Sequence, residues 1–205
     1  MSKFFATLIL KMWGWTIKGQ IDDLKKSVII AAPHTANSDF AIGWLAYKAM
    51  GVNVNFLIKK EMFRFPFGAL LKSMGGIPVD RSKSSNTVSQ VVDLINKNES
   101  IHVAITPEGT RKRVKHWKKG FYFIAHKANI PVVLVYIDYA KKEGGIGPTI
   151  HLTNDYDADL EKIQDFYRDV KGKHPENFNL TPLKEEKELD PKSSKKLQQQ
   201  YCCKK

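Results

Sequence analysis

Five short apolar runs punctuate the chain: Val28–Ala32, Val54–Ile58, Ile77–Val79, Ile101–Thr106 and Val132–Ile137. Most are nearly continuous rather than alternating, the pattern of strands covered on both faces. Between them, Phe40–Met50, Pro66–Met74, Val88–Asn98 and Phe121–Ala128 space their apolar residues at helical intervals. Gly51 suits the position just past a helix, and Pro66 suits the first turn of one. Thr16–Ile21 alternates as an edge strand would, and Asp22–Lys26 is a polar turn. Gly75-Gly76 breaks a helix, Ser82–Asn86 is a polar loop, and the glycine-rich Lys141–Gly147 reads as a turn leading into Thr149–Leu152. Leu160–Val170 reads as a last helix. Strand–helix alternation predicts a single α/β domain, layered αβα, with a mainly parallel central sheet and right-handed crossovers.

The two ends differ from this middle. Residues 3–15 are strongly apolar and aromatic, with Lys3 and Lys11 within them and Trp13 and Trp15 together at one end. Such a segment fits a membrane–water interface, and equally a helix packed on the domain's own core. From Pro175 onward the chain is polar and charged, which predicts a flexible tail. The organisation read from the sequence is therefore 1–15, a short amphipathic membrane-associating helix; 16–174, the catalytic-type domain; and 175–205, the tail.

Composition adds one unusual property. With 33 basic and 21 acidic residues, the 205-residue chain carries a formal charge of +12, which calls for an anionic partner. Nucleic acid is disfavoured because the basic residues form no recognition module. Cys202 and Cys203 are adjacent at the C-terminus, have no metal-ligand spacing and cannot staple a core, so a cytoplasmic protein, peripheral on the membrane, is expected. No apolar run approaches the ~20 residues that span a bilayer.

Two of the strands end in proline, and reactive residue types follow each. Pro33 is followed by His34-Thr35-Ala36-Asn37-Ser38-Asp39. If the loop folds back, Asp39 reaches one imidazole nitrogen of His34 and leaves the other to accept a proton. No serine or cysteine nucleophile accompanies the pair and no Gly-x-Ser-x-Gly elbow occurs, so a serine hydrolase is disfavoured and activation of a substrate hydroxyl is favoured. Asp39 or Ser38 is also a candidate cap for the following helix. Pro107 is followed by Glu108-Gly109-Thr110-Arg111. Arg111 offers a planar, permanently charged fork for phosphate, Gly109 a close backbone approach, and Thr110 a hydroxyl. Parallel neighbouring strands would bring both loops to one cleft.

In order along the chain, His34-x4-Asp39, Phe56-Leu57-Ile58-Lys59 with Glu61 and Pro66-x-Gly68, Gly75–Arg81, Pro107–Arg111, and Ile130-Pro131-Val132-Val133 resemble the motifs of the 1-acylglycerol-3-phosphate and lysophospholipid acyltransferases. The resemblance covers roughly residues 15–155. The chain departs from it at Leu134, where a second proline is frequent, and at Lys112-Arg113, where serine usually follows the arginine. The resemblance implies a glycerol-3-phosphate acyltransferase-like fold. It also implies transfer of an acyl group from acyl-CoA or acyl-carrier protein to a lysophospholipid hydroxyl, with 1-acyl-glycerol-3-phosphate the leading acceptor, in phospholipid biosynthesis. In that reading His34 and Asp39 are catalytic. Arg111, Arg81 and Lys59 bind the acceptor's phosphate, and Glu108, Gly109 and Thr110 complete the binding loop. Backbone amides near the His34 loop are the expected oxyanion donors. No metal or cofactor beyond the acyl carrier is required. The alternatives are an O-acyltransferase for another lyso-lipid, such as an aminolipid, and a non-catalytic lipid- or nucleic-acid-binding protein.

Overall fold

Val28, Ile29 and Ile30 are fully buried in succession, so the strand that carries them is covered on both faces. It occupies the middle of a seven-stranded sheet in a computed structural model that describes residues 2–21, 23–80, 84–153 and 155–180. The strands are β1 Thr16–Lys18, β2 Lys26–Ala32, β3 Val54–Lys59, β4 Gly76–Val79, β5 Ile101–Ile105, β6 Val132–Asp138 and β7 Glu143–Ile150, in the spatial order β1-β7-β6-β2-β5-β3-β4. β6, β2, β5, β3 and β4 are mutually parallel. β7 runs antiparallel to β6, and β1 runs parallel to β7. The expected mainly parallel α/β architecture is thus observed.

Right-handed crossovers then assign the helices to faces. The steps β2→β3 and β3→β4 move one way across the sheet, so α2 (Ser38–Met50) and α3 (Phe67–Ser73) lie on one face. The steps β4→β5 and β5→β6 move back, which puts α4 (Ser84–Lys97) and α5 (Gly120–Ala128) on the other. There they share the larger core with α6 (Tyr156–Tyr167), around Ile95, Phe121, Leu134 and Tyr167. The N-terminal helix α1 (Lys3–Met12) joins the α2 face, with Ala6 and Leu10 buried against Ile42, Leu45 and Ala49. The apolar segment 3–15 therefore packs on the domain along one side and exposes Phe4, Phe5, Leu8, Met12 and Trp13 along the rest.

Three elements depart from the sequence reading. The glycine-rich stretch expected to be a turn is strand β7. Its glycines are there for space: a Cβ at Gly147 would fall 2.3 Å from the Phe166 ring, and one at Gly145 2.7 Å from the Lys18 carbonyl oxygen. α6 begins a turn earlier than its apolar spacing indicated, because Asp155 caps it by accepting from the amides of Asp157 and Ala158. Residues 175–180, expected to open the tail, pack on the domain. A 3-10 turn over Pro175–Asn177 leads to Phe178 against the Trp117 ring, and Trp117 Nε1 donates to the Asn179 carbonyl at 2.9 Å. Phe178 and Leu180 pack on the larger core, which outweighs the segment's polar average. The remainder of the tail, with Cys202 and Cys203, lies outside the described residues.

Candidate active site

β2, β5 and β6 end on the same edge of the sheet because they are parallel, and that edge collects the reactive loops. From the end of β2 the chain turns through Pro33 to His34 and enters α2 at Ser38. Asp39 is in the first turn of α2 rather than at its cap. Its side chain reaches back over the loop: Oδ2 accepts from the amides of Thr35 and Ala36, both at 2.8 Å, and lies 3.2 Å from Nδ1 of His34. Oδ1 accepts from the Tyr139 hydroxyl at 2.7 Å. The Ser38 hydroxyl lies 2.7 Å from that of Tyr139, and with the tyrosine proton committed to Asp39, Ser38 is the donor. Burial of Asp39 opposes its charge. The bonds from His34, Tyr139 and the amides of Ala36 and Thr35 outweigh it and hold the carboxyl below its usual range. A carboxylate fixed in this way accepts a hydrogen bond from Nδ1–H of His34 and leaves Nε2 as the acceptor.

Glu108 lies behind this loop, not in the cleft. It is 2% exposed, its Oε1 accepts from the His34 amide at 2.9 Å, and its Oε2 has no hydrogen-bond partner among the described residues. Burial is the main cause that raises its pKa, to about 7. The expected substrate contact of Glu108 is thus replaced by a hold on the backbone of His34. The amides expected to serve an oxyanion are also engaged: those of Thr35 and Ala36 by Asp39 and that of His34 by Glu108. The amides of Asn37 and Ser38 follow at the start of α2, where a helix leaves its first N–H groups unpaired.

Gly109 turns the chain at φ +65° with its amide on the Thr106 carbonyl, and the Thr110 hydroxyl accepts from the Lys112 amide at 3.3 Å. Arg111 is carried onto the wall of a cleft of about 390 Å³. Thr35, Ala36, Asn37 and Ser38 form the opposite wall, and Lys173 and His174 close it. Lys59 ends β3, two strand spacings from β2 in the sheet order, or about 10 Å away. Arg81 lies outside the described residues.

Several members of the site escaped the sequence reading. Tyr139 follows β6 directly, and its place beside Asp39 follows only from the parallel pairing of β6 with β2. Residues 171–174 return over the His34 loop, with the Tyr139 amide on the Lys171 carbonyl at 2.8 Å and the His174 amide on the Thr35 hydroxyl at 3.2 Å. Gly172 permits this approach, since a Cβ there would lie 2.8 Å from the Thr35 hydroxyl.

A family model described as Acyltransferase matches residues 16–138, more than half of the chain, including the His34 and Glu108 loops. The chain belongs to the acyltransferase family. It is an acyltransferase enzyme. No match was found among curated proteins. Among solved structures, the fold is similar to that of PlsC, the 1-acyl-sn-glycerophosphate acyltransferase of Thermotoga maritima. The TM-score is 0.59 and the identity 14%, over 80% of this acyltransferase and 74% of that one. No helix among the described residues is long and apolar enough to cross a membrane.

Proposed function

We propose that this acyltransferase moves a fatty acyl group from acyl-CoA or acyl-carrier protein to the free hydroxyl of a lysophospholipid, with 1-acyl-glycerol-3-phosphate as acceptor, in phospholipid biosynthesis. The observation that carries the reading is the His34–Asp39 pair beside a cleft whose remaining wall is cationic. An alcohol is a weak nucleophile at neutral pH. Nε2 of His34 removes its proton as the oxygen attacks the thioester carbonyl, a service worth ~10²–10⁴-fold. Asp39 keeps the imidazole in the required tautomer and stabilises the imidazolium that forms. The thiol then leaves with that proton, and the ester is released. Arg111, with Lys173 and His174, takes the acceptor's phosphate; Lys59 belongs to the same edge of the sheet by topology, and Arg81 is assigned to the phosphate by the motif resemblance alone. Asn37 and Ser38 line the cleft at the start of α2, and their amides suit the developing oxyanion. The similarity in fold to a 1-acyl-sn-glycerophosphate acyltransferase favours this acceptor over an aminolipid.

The protein is peripheral on the membrane in this reading. The exposed face of α1 enters the interface, and the basic loop from Arg111 to Lys119, ahead of α5, faces anionic headgroups. Ala6 and Leu10 are part of the core, so the docking role of α1 is tested by Phe4→Ser/Phe5→Ser rather than by deleting the helix.

The chemical role is tested by His34→Ala and His34→Gln in a steady-state assay with an acyl thioester and 1-acyl-glycerol-3-phosphate. Both should lose turnover by at least about a hundredfold, since an amide can hydrogen-bond but cannot take the proton. Circular dichroism should show an unchanged fold. Near-wild-type turnover by a folded His34→Ala would overturn the mechanism.

A further inference from the structure

The surface of the acyltransferase is unevenly greasy. Among the described residues, nine of the ten exposed large apolar side chains lie on α1, its end, or the segment between β3 and β4, and Phe123 of α5 is the tenth. The second group is Met62, Phe65, Phe67 and Leu70. Phe65 is 98% exposed, which leaves a full aromatic side chain in water with no internal packing to offset it. The backbone here is a 3-10 turn over Lys60–Phe63 followed by α3. The two halves are pressed together at Gly68, where a Cβ would fall 2.3 Å from the Phe63 carbonyl oxygen. Gly68 is the one buried residue of α3, so Phe67 and Leu70 are directed outward.

The patch shares a face with α1. Crossover handedness puts α2 and α3 on one side of the sheet. Trp44 of α2 donates its indole N–H to the Met74 carbonyl at the end of α3, at 3.2 Å. α1 packs on α2 through Ala6 and Leu10, in a cluster that Trp44 also touches. The two apolar surfaces therefore both adjoin α2, whose first turn carries Asp39. The charge agrees with an anionic surface. Lys3 and Lys11 of α1 have no acid between them, and Lys60, Arg64 and Lys72 outnumber Glu61 in the second segment.

We propose that the 3-10 turn and α3 form a second bilayer-docking element, which seats in anionic lipid together with α1. This rests on the reading of α1 as interfacial, and it adds a defined orientation. With α1 and α3 both engaged, the molecule cannot rotate about α1, and the edge of the sheet that holds His34 keeps a fixed attitude to the lipid in which the acceptor resides. Phe65 and Phe67 supply apolar insertion, and the flanking cations supply attraction.

Co-sedimentation tests the proposal with vesicles of equal parts phosphatidylglycerol and phosphatidylcholine. Phe65→Ser/Phe67→Ser should lower the partition coefficient about tenfold, Phe4→Ser/Phe5→Ser by a similar factor, and the fourfold variant further. Phe65→Trp/Phe67→Trp should bind at least as well as the wild type, which separates insertion from a folding defect. Turnover of Phe65→Ser/Phe67→Ser on a short-chain, monomeric lyso-acceptor should match the wild type. Vesicle binding by the serine variant equal to that of the wild type would overturn the proposal. So would unchanged vesicle binding with a shift from dimer to monomer in sedimentation velocity, which would mark the patch as a self-association surface. A wild type without turnover whose vesicle binding still depends on Phe65 and Phe67 would overturn the acceptor reading and support the docking element.

Discussion

At the scale of single residues, the site is built around the Asp39 carboxylate. Four groups bond to its two oxygens, and three of them serve to hold it for the fourth, His34. Tyr139→Phe removes one without altering the ring that stacks edge-on against Trp15. Asp39 then loses a hydrogen bond that favours its charged form and helps to hold it against Nδ1 of His34. Turnover should fall by up to about tenfold, with KM for the acceptor little changed. Turnover equal to that of the wild type would show that Tyr139 only fills space. Glu108 makes a separate prediction. Its folded pKa, about 7, is raised above the unfolded value near 4.5, so the native state binds the extra proton between these limits. Its contribution is fully present below the unfolded pKa and is lost as pH rises through the folded one. The stability of wild type relative to Glu108→Gln should fall from pH 5 to pH 8, by about 2.5 kcal/mol. Thermal melts of the two proteins across this window measure it, and a pH-independent difference would contradict a titrating Glu108. The His34–Asp39 pairing was legible in the sequence because a loop of four residues limits where Asp39 can go. Glu108 and Tyr139 come from 74 and 105 residues further along, and only the strand order sets them at the same loop.

The elements show the same division between local and long-range information. Strands β2, β5 and β6 announce themselves as apolar runs, and the proline after each of the first two marks its end. β7 does not, because its three glycines answer to neighbours on Lys18, Tyr136 and Phe166 that composition cannot show. The segment 168–180 is the clearest case. No motif marks residues 171–174, yet they close over the His34 loop, and residues from Pro175, whose polar sequence reads as the start of a tail, pack under Trp117. Gly172 is the closest approach, with Thr35 and Pro33 within 3.2 Å of where a Cβ would stand. Gly172→Val should lift the segment, release the Lys171–Tyr139 and His174–Thr35 bonds and cost about 1–3 kcal/mol. Lys173 and His174 would leave the cleft with it, so KM for the acceptor should rise more than kcat falls. Calorimetry and steady-state kinetics of Gly172→Ala and Gly172→Val should show the effect growing with side-chain size. A lower melting temperature with unchanged KM would detach this segment from substrate binding.

For the molecule as a whole, charge and apolar surface act over different ranges, and salt separates them. The formal charge of +12 works through the solvent, where screening shortens its reach from about 10 Å at 0.1 M salt to about 3 Å at 1 M. The exposed aromatic side chains of α1 and α3 act by burial, which salt does not weaken. In the proposed reading, Arg111 and its cationic neighbours meet the acceptor's phosphate at hydrogen-bond range inside the cleft, where screening is less effective than at the open surface. Turnover on acceptor embedded in vesicles of equal parts phosphatidylglycerol and phosphatidylcholine should therefore decline steeply as salt rises. Turnover on a short-chain monomeric acceptor should decline far less. Vesicles of phosphatidylcholine alone should give low turnover with little salt dependence, because only the aromatic insertion remains. The three titrations use one protein and one thioester, so a common effect of salt on the chemistry cancels between them. Parallel curves for embedded and monomeric acceptor would place the whole electrostatic effect in the cleft and remove the surface charge from the docking step.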